Sequence, residues 1–273
     1  MKTCLHQNTN KSVRQHGTRL KLNSFSCSCC STYAHHVNHR QLLAAVMAAS
    51  VVIFPSASAS AADDSTLHQV GTYDYLLQPD FTGLLETSRV TENTTLGLGT
   101  FANLDGELVL VGGVAYRVPT TGIPERITGK ELTPFVQAIN FTPTKSGPVP
   151  PGTQCNQLIP AINELIGTDQ GIVAVRVRGT FTQLQARSVP KQEKPWPSFA
   201  TVLSQQTQFS LDGSKAALVG FRQGTNFLGI GQPGLHLHGI TRGKNAGGHI
   251  LSCTAGNDVQ LSVQRASSVD IKN

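Results

Sequence analysis

Three histidines lie within fourteen residues of one another in the run GLHLHGITRGKNAGGHI, which begins at Gly234. One residue separates His236 from His238, and His249 follows eleven residues later. Three neutral imidazoles form a ligand set for a catalytic Zn²⁺, because such a site keeps a coordination position free, whereas structural zinc sites close their shell, usually with Cys. The same set suits iron, copper or nickel. The alternative interpretation is that these are strand histidines without a ligand.

A β-strand over residues 234–240 would place His236 and His238 on one face, because side chains alternate between the two faces of a strand. Leu237 would then point toward a core. Residues 241–248 are rich in Gly, Lys, Arg and Asn, which predicts a turn or a long hairpin connection. The strand that begins near His249 would then lie beside the first strand. We therefore predict a metal site on adjacent strands.

Strand patterns dominate the remainder of the chain from residue 63 onward. The predicted strands cover residues 99–104, 107–118, 171–184, 216–221, 249–253 and 258–264. The Asp105-Gly106 pair predicts a tight hairpin turn between the first two of these strands. The predicted helices cover residues 156–166 and 198–206, the second with Ser198 as its N-cap.

These elements predict an α+β fold, formed by a β-rich two-lobed domain with mixed or antiparallel sheets. The domain would span residues 63–273, with possible lobes at residues 63–185 and 186–273. Residues 142–152 contain four prolines, which predicts a loop or a connector between lobes. A sheet-rich domain with exposed edge strands also predicts a symmetric homodimer.

The composition of the chain changes near residue 62. Residues 1–62 contain six Lys and Arg and no Asp or Glu, so the formal net charge of +6 belongs to this segment. Residues 63–273 contain equal numbers of basic and acidic side chains. No basic run with interleaved aromatic residues occurs in this second part. We therefore expect no nucleic-acid binding by the folded part.

Residues 1–62 form an N-terminal extension that ends in the three-part pattern of a secretory signal peptide. Arg40 precedes an apolar run over residues 42–54, and small residues follow over 56–62. We predict cleavage just before Asp63 and an exported protein, whether secreted, periplasmic or at the cell surface. The apolar run is too short for a stable membrane span.

Two cysteines, Cys155 and Cys253, occur in the part of the chain that follows the predicted cleavage site. They permit one disulfide in an oxidising compartment. A disulfide requires the two backbones to approach closely, and the sequence leaves that distance open.

Four segments of the sequence resemble the acetolactate decarboxylase family. They are HQVGTYDYLLQPDFTG from His68, LGLGTFANLDGELVLVGGVAYRV from Leu96, RVRGTFTQLQARSVPKQEKPW from Arg176, and the histidine run from Gly234. The resemblance covers nearly all of residues 63–273, and the last three segments occur in the family's order. It implies zinc-dependent decarboxylation of 2-acetolactate to acetoin, a step of acetoin and butanediol biosynthesis.

The resemblance also implies roles for individual side chains. His236, His238 and His249 match the family's metal-binding histidines, Glu107 matches an active-site glutamate, and Arg187 matches an active-site arginine. From the chemistry, the metal would polarise the substrate ketone, Arg187 would orient the carboxylate, and Glu107 would donate a proton. Without the motif context, Glu107 would be interpreted as a solvated carboxylate beside a turn and Arg187 as a surface residue.

The sequence departs from the family pattern after the histidines. Similar family members contribute a second active-site glutamate from further along the chain, whereas here Asp258 and Asp270 are the acids after His249, and neither matches a family motif. We expect the second carboxylate to be dispensable or replaced, or the activity to be weakened. The alternative is a secreted, non-catalytic family member that binds a metal or a small hydroxy-keto acid.

Two other enzyme classes fit the sequence less well. A cupin-like iron oxygenase usually adds a carboxylate close to its HxH pair, and no Asp or Glu lies between His236 and His249. A Ser-His-Asp hydrolase is disfavoured because no G-x-S-x-G motif occurs and the histidines of the exported part are mostly committed to the cluster.

Overall fold

The structure is a computed structural model, and it describes residues 65–273. The predicted signal peptide and the extension before it, residues 1–62, lie outside the described residues. The strands are Thr66–Val70 (β1), Leu85–Glu86 (β2), Leu96–Thr100 (β3), Glu107–Val111 (β4), Val114–Val118 (β5), Glu125–Arg126 (β6), Leu132–Thr133 (β7), Val136–Ile139 (β8), Lys145–Pro148 (β9), Ile172–Ser188 (β10), Thr207–Ser210 (β11), Lys215–Gln223 (β12), Gly234–Thr241 (β13), Gly247–Ala255 (β14), Gln260–Arg265 (β15) and Ser268–Lys272 (β16). The helices are Tyr73–Leu77 (α1), Ser88–Thr91 (α2), Leu158–Ile166 (α3) and Phe199–Ser204 (α4).

Two large sheets contain nearly all of these strands. The first has the order β16-β1-β8-β3-β4-β5-β6, with β1 and β16 parallel and the other neighbours antiparallel. The second contains β9 to β15 and is antiparallel throughout. Strands β2 and β7 pair with each other in a separate, short two-stranded sheet. The predicted β-rich architecture with mixed and antiparallel sheets is confirmed.

The long strand β10 organises the second sheet. Its first half pairs with β12 and its second half with β14, while β13 lies between β12 and β14, so this path of four strands closes on itself. The boundary suggested between residues 185 and 186 falls inside β10. Apart from β16, the first sheet ends at Ile139 and the second begins at Lys145. The sheets therefore divide at residues 140–144, at the start of the segment predicted as a loop or connector. The prediction was wrong for the middle of that segment, because Lys145–Pro148 forms β9 by pairing with β15.

The hairpin predicted at Asp105-Gly106 is present, but its connection is longer than the predicted tight turn. Strands β3 and β4 pair as expected, but a six-residue connection that includes a 3-10 turn at Ala102–Leu104 joins them. The single strand predicted after Gly106 is two strands, β4 and β5. Gly112 and Gly113 separate them with φ angles of 60° and 77°. Positive φ at both central residues matches a two-residue hairpin turn, a conformation that glycine adopts without steric cost.

Both predicted helices are present with shorter bounds. Helix α3 tolerates Pro160 because the residue lies in the first turn, where backbone N–H groups have no partner inside the helix. Helix α4 follows Ser198, whose hydroxyl accepts a hydrogen bond from the Thr201 N–H at 3.2 Å, as an N-cap does. None of the helices within residues 65–273 has the length and apolar character needed to cross a bilayer.

Apolar side chains from both sheets fill the space between them. Leu98 and Val109 of the first sheet belong to the same buried cluster as Val219 and Phe221 of the second. Leu237 is also buried, but it belongs to a separate cluster on the other face of the second sheet. The alternation predicted for β13 is therefore confirmed, since Leu237 faces a core.

Cys155 and Cys253 form a disulfide whose Cα atoms lie 5.1 Å apart. It connects the turn before α3 to β14 across 98 residues of sequence. A disulfide that closes a long loop restricts the unfolded chain and contributes roughly 2–4 kcal/mol to stability. We expect the Cys155→Ser, Cys253→Ser double variant to lose about that free energy of unfolding. Denaturant titrations measure it, and under reductant the wild type should match the variant. A difference that persists under reductant would assign the loss to packing instead.

Candidate active site

Strands β13 and β14 bring the three histidines together. His238 and His249 are directly opposite each other in the antiparallel pair, and His236 shares the face of His238. The ring centroids lie 4.9 to 5.1 Å apart. One ring nitrogen from each histidine lies within 4.8 Å of the others. The convergence of these side chains on adjacent strands agrees with the geometry predicted for them.

Arg187 extends the same cross-strand row. It lies opposite His249 in the pairing of β10 with β14. This close pairing depends on Gly248, because a Cβ atom at that position would collide with the carbonyl oxygen of Arg187. The absence of a side chain at Gly248 therefore allows the strand that carries His249 to lie against the strand that carries Arg187.

The nitrogen atoms of the histidines have a geometry that fits a bound metal ion. His238 Nδ1 donates a hydrogen bond to the carbonyl oxygen of Leu108 at 2.7 Å, which leaves the lone pair on Nε2. His249 Nδ1 lies 3.3 Å from that Nε2 and 3.2 Å from Nε2 of His236. These separations match the edges of about 3.3 Å that a tetrahedral ion with nitrogen ligands at 2.0–2.1 Å would have.

Burial keeps the imidazoles in the form that binds metals. His238 is 1 % exposed, and burial lowers its pKa to about 3. The pKa values of His236 and His249 are also well below the usual range, mainly because of burial and in addition because of the nearby Arg187 charge. All three rings are therefore neutral near pH 7, as a nitrogen ligand must be.

Glu107 enters the site from the first sheet as the first residue of β4. Its Oε1 accepts a hydrogen bond from Arg187 Nη1 at 2.9 Å, and its Oε2 lies 3.4 Å from Nε2 of His238. Burial raises the pKa of this carboxyl to about 7, although the positive charge of Arg187 opposes the change. A buried carboxyl of this kind is able to hold a proton near neutral pH. The interpretation of Glu107 as a solvated carboxylate, which its position beside a turn suggested, is therefore wrong, because the side chain is buried.

The five residues line one cavity of about 340 Å³. Much of its wall is apolar and includes Leu76, Leu104, Phe135, Val189, Phe199 and Leu203. Four further polar residues also line it, namely Tyr73, Thr100, Gln206 and Gln232. Tyr73 and Thr100 lie inside the segments that resemble the family. No motif or residue spacing in the sequence identifies any of the four as a site residue.

The acidic residues that follow His249 lie elsewhere in the fold. Asp258 pairs with Lys215 at 2.8 Å and accepts a hydrogen bond from the Thr180 N–H. Asp270 lies on β16, with its carboxylate 3.2 Å from Nδ1 of His68. Within residues 65–273, Glu107 is therefore the one carboxyl group that lines the cavity.

Comparisons with known proteins converge on one family. Residues 67–273 match the family model described as alpha-acetolactate decarboxylase. The alpha-acetolactate decarboxylase of Methanosarcina mazei is 34% identical over 199 residues, which cover 73% of this chain and 68% of the relative. That of Brevibacillus brevis is 32% identical over 218 residues, covering 80% and 76%. The crystal structure of alpha-acetolactate decarboxylase from Bacillus subtilis strain 168 aligns with a TM-score of 0.72 at 28% identity, covering 76% of this chain and 88% of that one. All the site residues described above fall inside the matched range.

Proposed function

The chain belongs to the alpha-acetolactate decarboxylase family, and we propose that it converts 2-acetolactate to acetoin with a Zn²⁺ ion held by His236, His238 and His249. The proposal rests on one observation. Three neutral imidazoles, a buried carboxyl and a guanidinium group converge on one cavity. Decarboxylation of a 2-hydroxy-3-oxo acid needs an acceptor for the electron pair, an anchor for the carboxylate and a proton donor, and this set of groups contains a candidate for each.

The donor set fits Zn²⁺, because three neutral nitrogens, two of whose separations match tetrahedral edges, leave a position open for the substrate. When bound, Zn²⁺ would supply Lewis-acid polarisation of the ketone and hydroxyl oxygens. The hydrogen bond from His238 to the Leu108 carbonyl would fix the orientation of that ring.

Arg187 binds and orients the substrate carboxylate in this proposal. Its side chain is only 11% exposed, and it donates one N–H to Glu107, which leaves other donors of the guanidinium for an anion. The planar fork of arginine suits a carboxylate. An oriented carboxylate can place the breaking carbon–carbon bond parallel to the ketone π system, so that the electron pair left by CO₂ is delocalised.

Glu107 supplies the proton that the carbon requires after CO₂ leaves. Its raised pKa allows the protonated form to be populated near neutral pH. The strand that carries Glu107 holds it on one side of the cavity, so the proton would reach one face of the planar carbon. Apolar side chains such as Leu104 and Phe135 line the cavity and would limit the access of water to this step.

Replacing Arg187 with Lys tests the proposed carboxylate anchor. Lysine keeps the positive charge but loses the planar fork, so we expect kcat/KM to fall roughly 10- to 100-fold, the effect of losing charge-assisted hydrogen bonds. Steady-state kinetics with metal analysis would measure it, and the zinc content should not change. Arg178→Lys is the matched control, because Arg178 lies exposed on the same strand. Equal kinetics for the two variants would contradict the role of Arg187.

The function itself is tested with the purified protein and racemic 2-acetolactate. We expect about one Zn²⁺ per histidine cluster and acetoin formation that stops with a chelator and returns when zinc is added. Bound zinc without acetoin would favour the non-catalytic binding protein. A protein that binds no stoichiometric metal under zinc-replete conditions would overturn the proposal.

A further inference from the structure

Three polar side chains on the cavity wall, those of Tyr73, Gln206 and Gln232, have no side-chain hydrogen-bond partner among residues 65–273. Of these, Tyr73 and Gln232 belong to backbone segments that are hydrogen-bonded to each other. Thr100, by contrast, already donates its hydroxyl hydrogen to the carbonyl oxygen of Gly106 at 2.8 Å. Tyr73 and Gln232 therefore have donors available for a molecule inside the cavity.

The backbone segments that carry these two residues are joined to each other. The Tyr73 N–H donates to the carbonyl oxygen of Ile230 at 3.0 Å, and the Asp74 N–H donates to that of Gly229 at 3.0 Å. Ile230 lies two residues before Gln232 in the connection from β12 to β13. The start of α1 and this connection thus form one wall of the cavity, and their relative position is set by hydrogen bonds.

A chain of buried glutamine amides holds this wall in place. Gln223 donates to Gln137 at 3.2 Å, Gln137 donates to Gln69 at 2.7 Å, and Gln69 donates to the carbonyl oxygens of Ile230 and Gly71, each at 2.7 Å. The three glutamines are at most 3% exposed. Buried amides linked in this way restrict side-chain motion, because breaking any bond leaves a buried polar group unsatisfied. The cavity wall is therefore held in one position before any ligand binds.

The chemistry of the substrate class creates a need for such donors. A 2-hydroxy-3-oxo acid brings two carboxylate oxygens, a hydroxyl and a ketone into a cavity with mostly apolar walls, where each unsatisfied oxygen would be costly. Each of these oxygens can accept more than one hydrogen bond, and the proposed contacts with Zn²⁺ and with the Arg187 N–H groups that Glu107 leaves free would use only part of this capacity. The Tyr73 hydroxyl is protonated at neutral pH, as tyrosines ordinarily are, and burial raises its pKa further, so it can donate a hydrogen bond.

We propose that Tyr73 and Gln232 donate hydrogen bonds to oxygen atoms of the bound 2-hydroxy-3-oxo acid and thereby set its affinity. This inference rests on the proposed function and deepens it. Tyr73 and Gln232 would only hold the substrate, whereas Glu107 transfers a proton and Arg187 also orients the carboxylate for cleavage of the carbon–carbon bond. Their removal should therefore affect KM more than kcat.

The test uses Tyr73→Phe, Gln232→Met and Gln232→Glu in the full-length, zinc-loaded protein. The first two variants remove the donor and keep the side-chain size, so we expect KM for 2-acetolactate to rise about 5- to 10-fold in each, with kcat within about twofold. Gln232→Glu should raise KM further, because a carboxylate repels the anionic substrate. Tyr75→Phe on the same helix and Gln260→Met on β15 are matched controls, since neither residue lines the cavity.

Zinc content and the thermal midpoint are measured for every variant, so that a loss of fold or metal is distinguished from a loss of binding. Unchanged KM in both donor-removing variants would overturn the inference, and so would a KM change that the control variants share. If the wild type forms no acetoin, the proposed function fails, and the inference is decided by calorimetric titration with 2-acetolactate. Binding that weakens in the Tyr73 and Gln232 variants would then support it, and absent or equal binding would overturn it.

Discussion

Replacing His238 with Ala is expected to abolish zinc binding and acetoin formation together. His238 is 1% exposed and makes the hydrogen bond to the Leu108 carbonyl that fixes its free nitrogen toward His249. Its loss would leave two ligands where a catalytic zinc site needs three. Because the ion is expected to supply several kcal/mol of transition-state stabilisation, turnover should fall by at least about 10³-fold. Metal analysis after dialysis and an acetoin assay would measure both effects.

His68→Ala is the control for that experiment. His68 lies on β1 outside the cavity, where its ring contacts Asp270, so its replacement should leave the zinc content and turnover unchanged. Full zinc content in the inactive His238 variant would contradict the assignment of this residue as a ligand. Retained activity without bound zinc would contradict a catalytic role for the metal site.

Replacing Glu107 with Gln is expected to lower kcat roughly 10²- to 10⁴-fold while zinc remains bound, the range found when a general acid is lost. Glutamine matches glutamate in size, and its amide oxygen can still accept the hydrogen bond from Arg187. It has no proton to transfer near neutral pH. The expected loss therefore reports proton delivery rather than packing. Steady-state kinetics and metal analysis of the same sample would measure it.

Product stereochemistry gives a second measurement for the Glu107 variant. If Glu107 delivers the proton to one face, the wild type should form mainly one enantiomer of acetoin, and the residual product of the Glu107→Gln variant should be closer to racemic. Glu125→Gln is the matched control, because Glu125 is exposed and pairs with Arg117 at the protein surface. A kcat equal to that of the wild type would remove Glu107 from the mechanism.

Much of the second sheet could be predicted because its signals are local. The alternation of residues in β13, the turn before His249 and the serine cap of α4 depend on neighbours within a few positions, and the structure contains all three. The strand predicted after Gly106 was wrong in its length, because the Gly112-Gly113 turn divides it. Short strands such as β1, β8 and β16 were not predicted, since they form by pairing with distant segments.

The sequence by itself determined that His236, His238 and His249 can share one face, because a strand period of two and a short connection are properties of adjacent residues. Only the tertiary structure decided that Glu107 and Arg187, eighty positions apart, meet at 2.9 Å beside them. That contact requires the two sheets to pack face to face. The same packing removes water from Glu107 and raises its pKa, and it places Tyr73 and Gln232 on the wall of the cavity. Burial and long-range contact arise from the whole fold, so no local pattern could have predicted them.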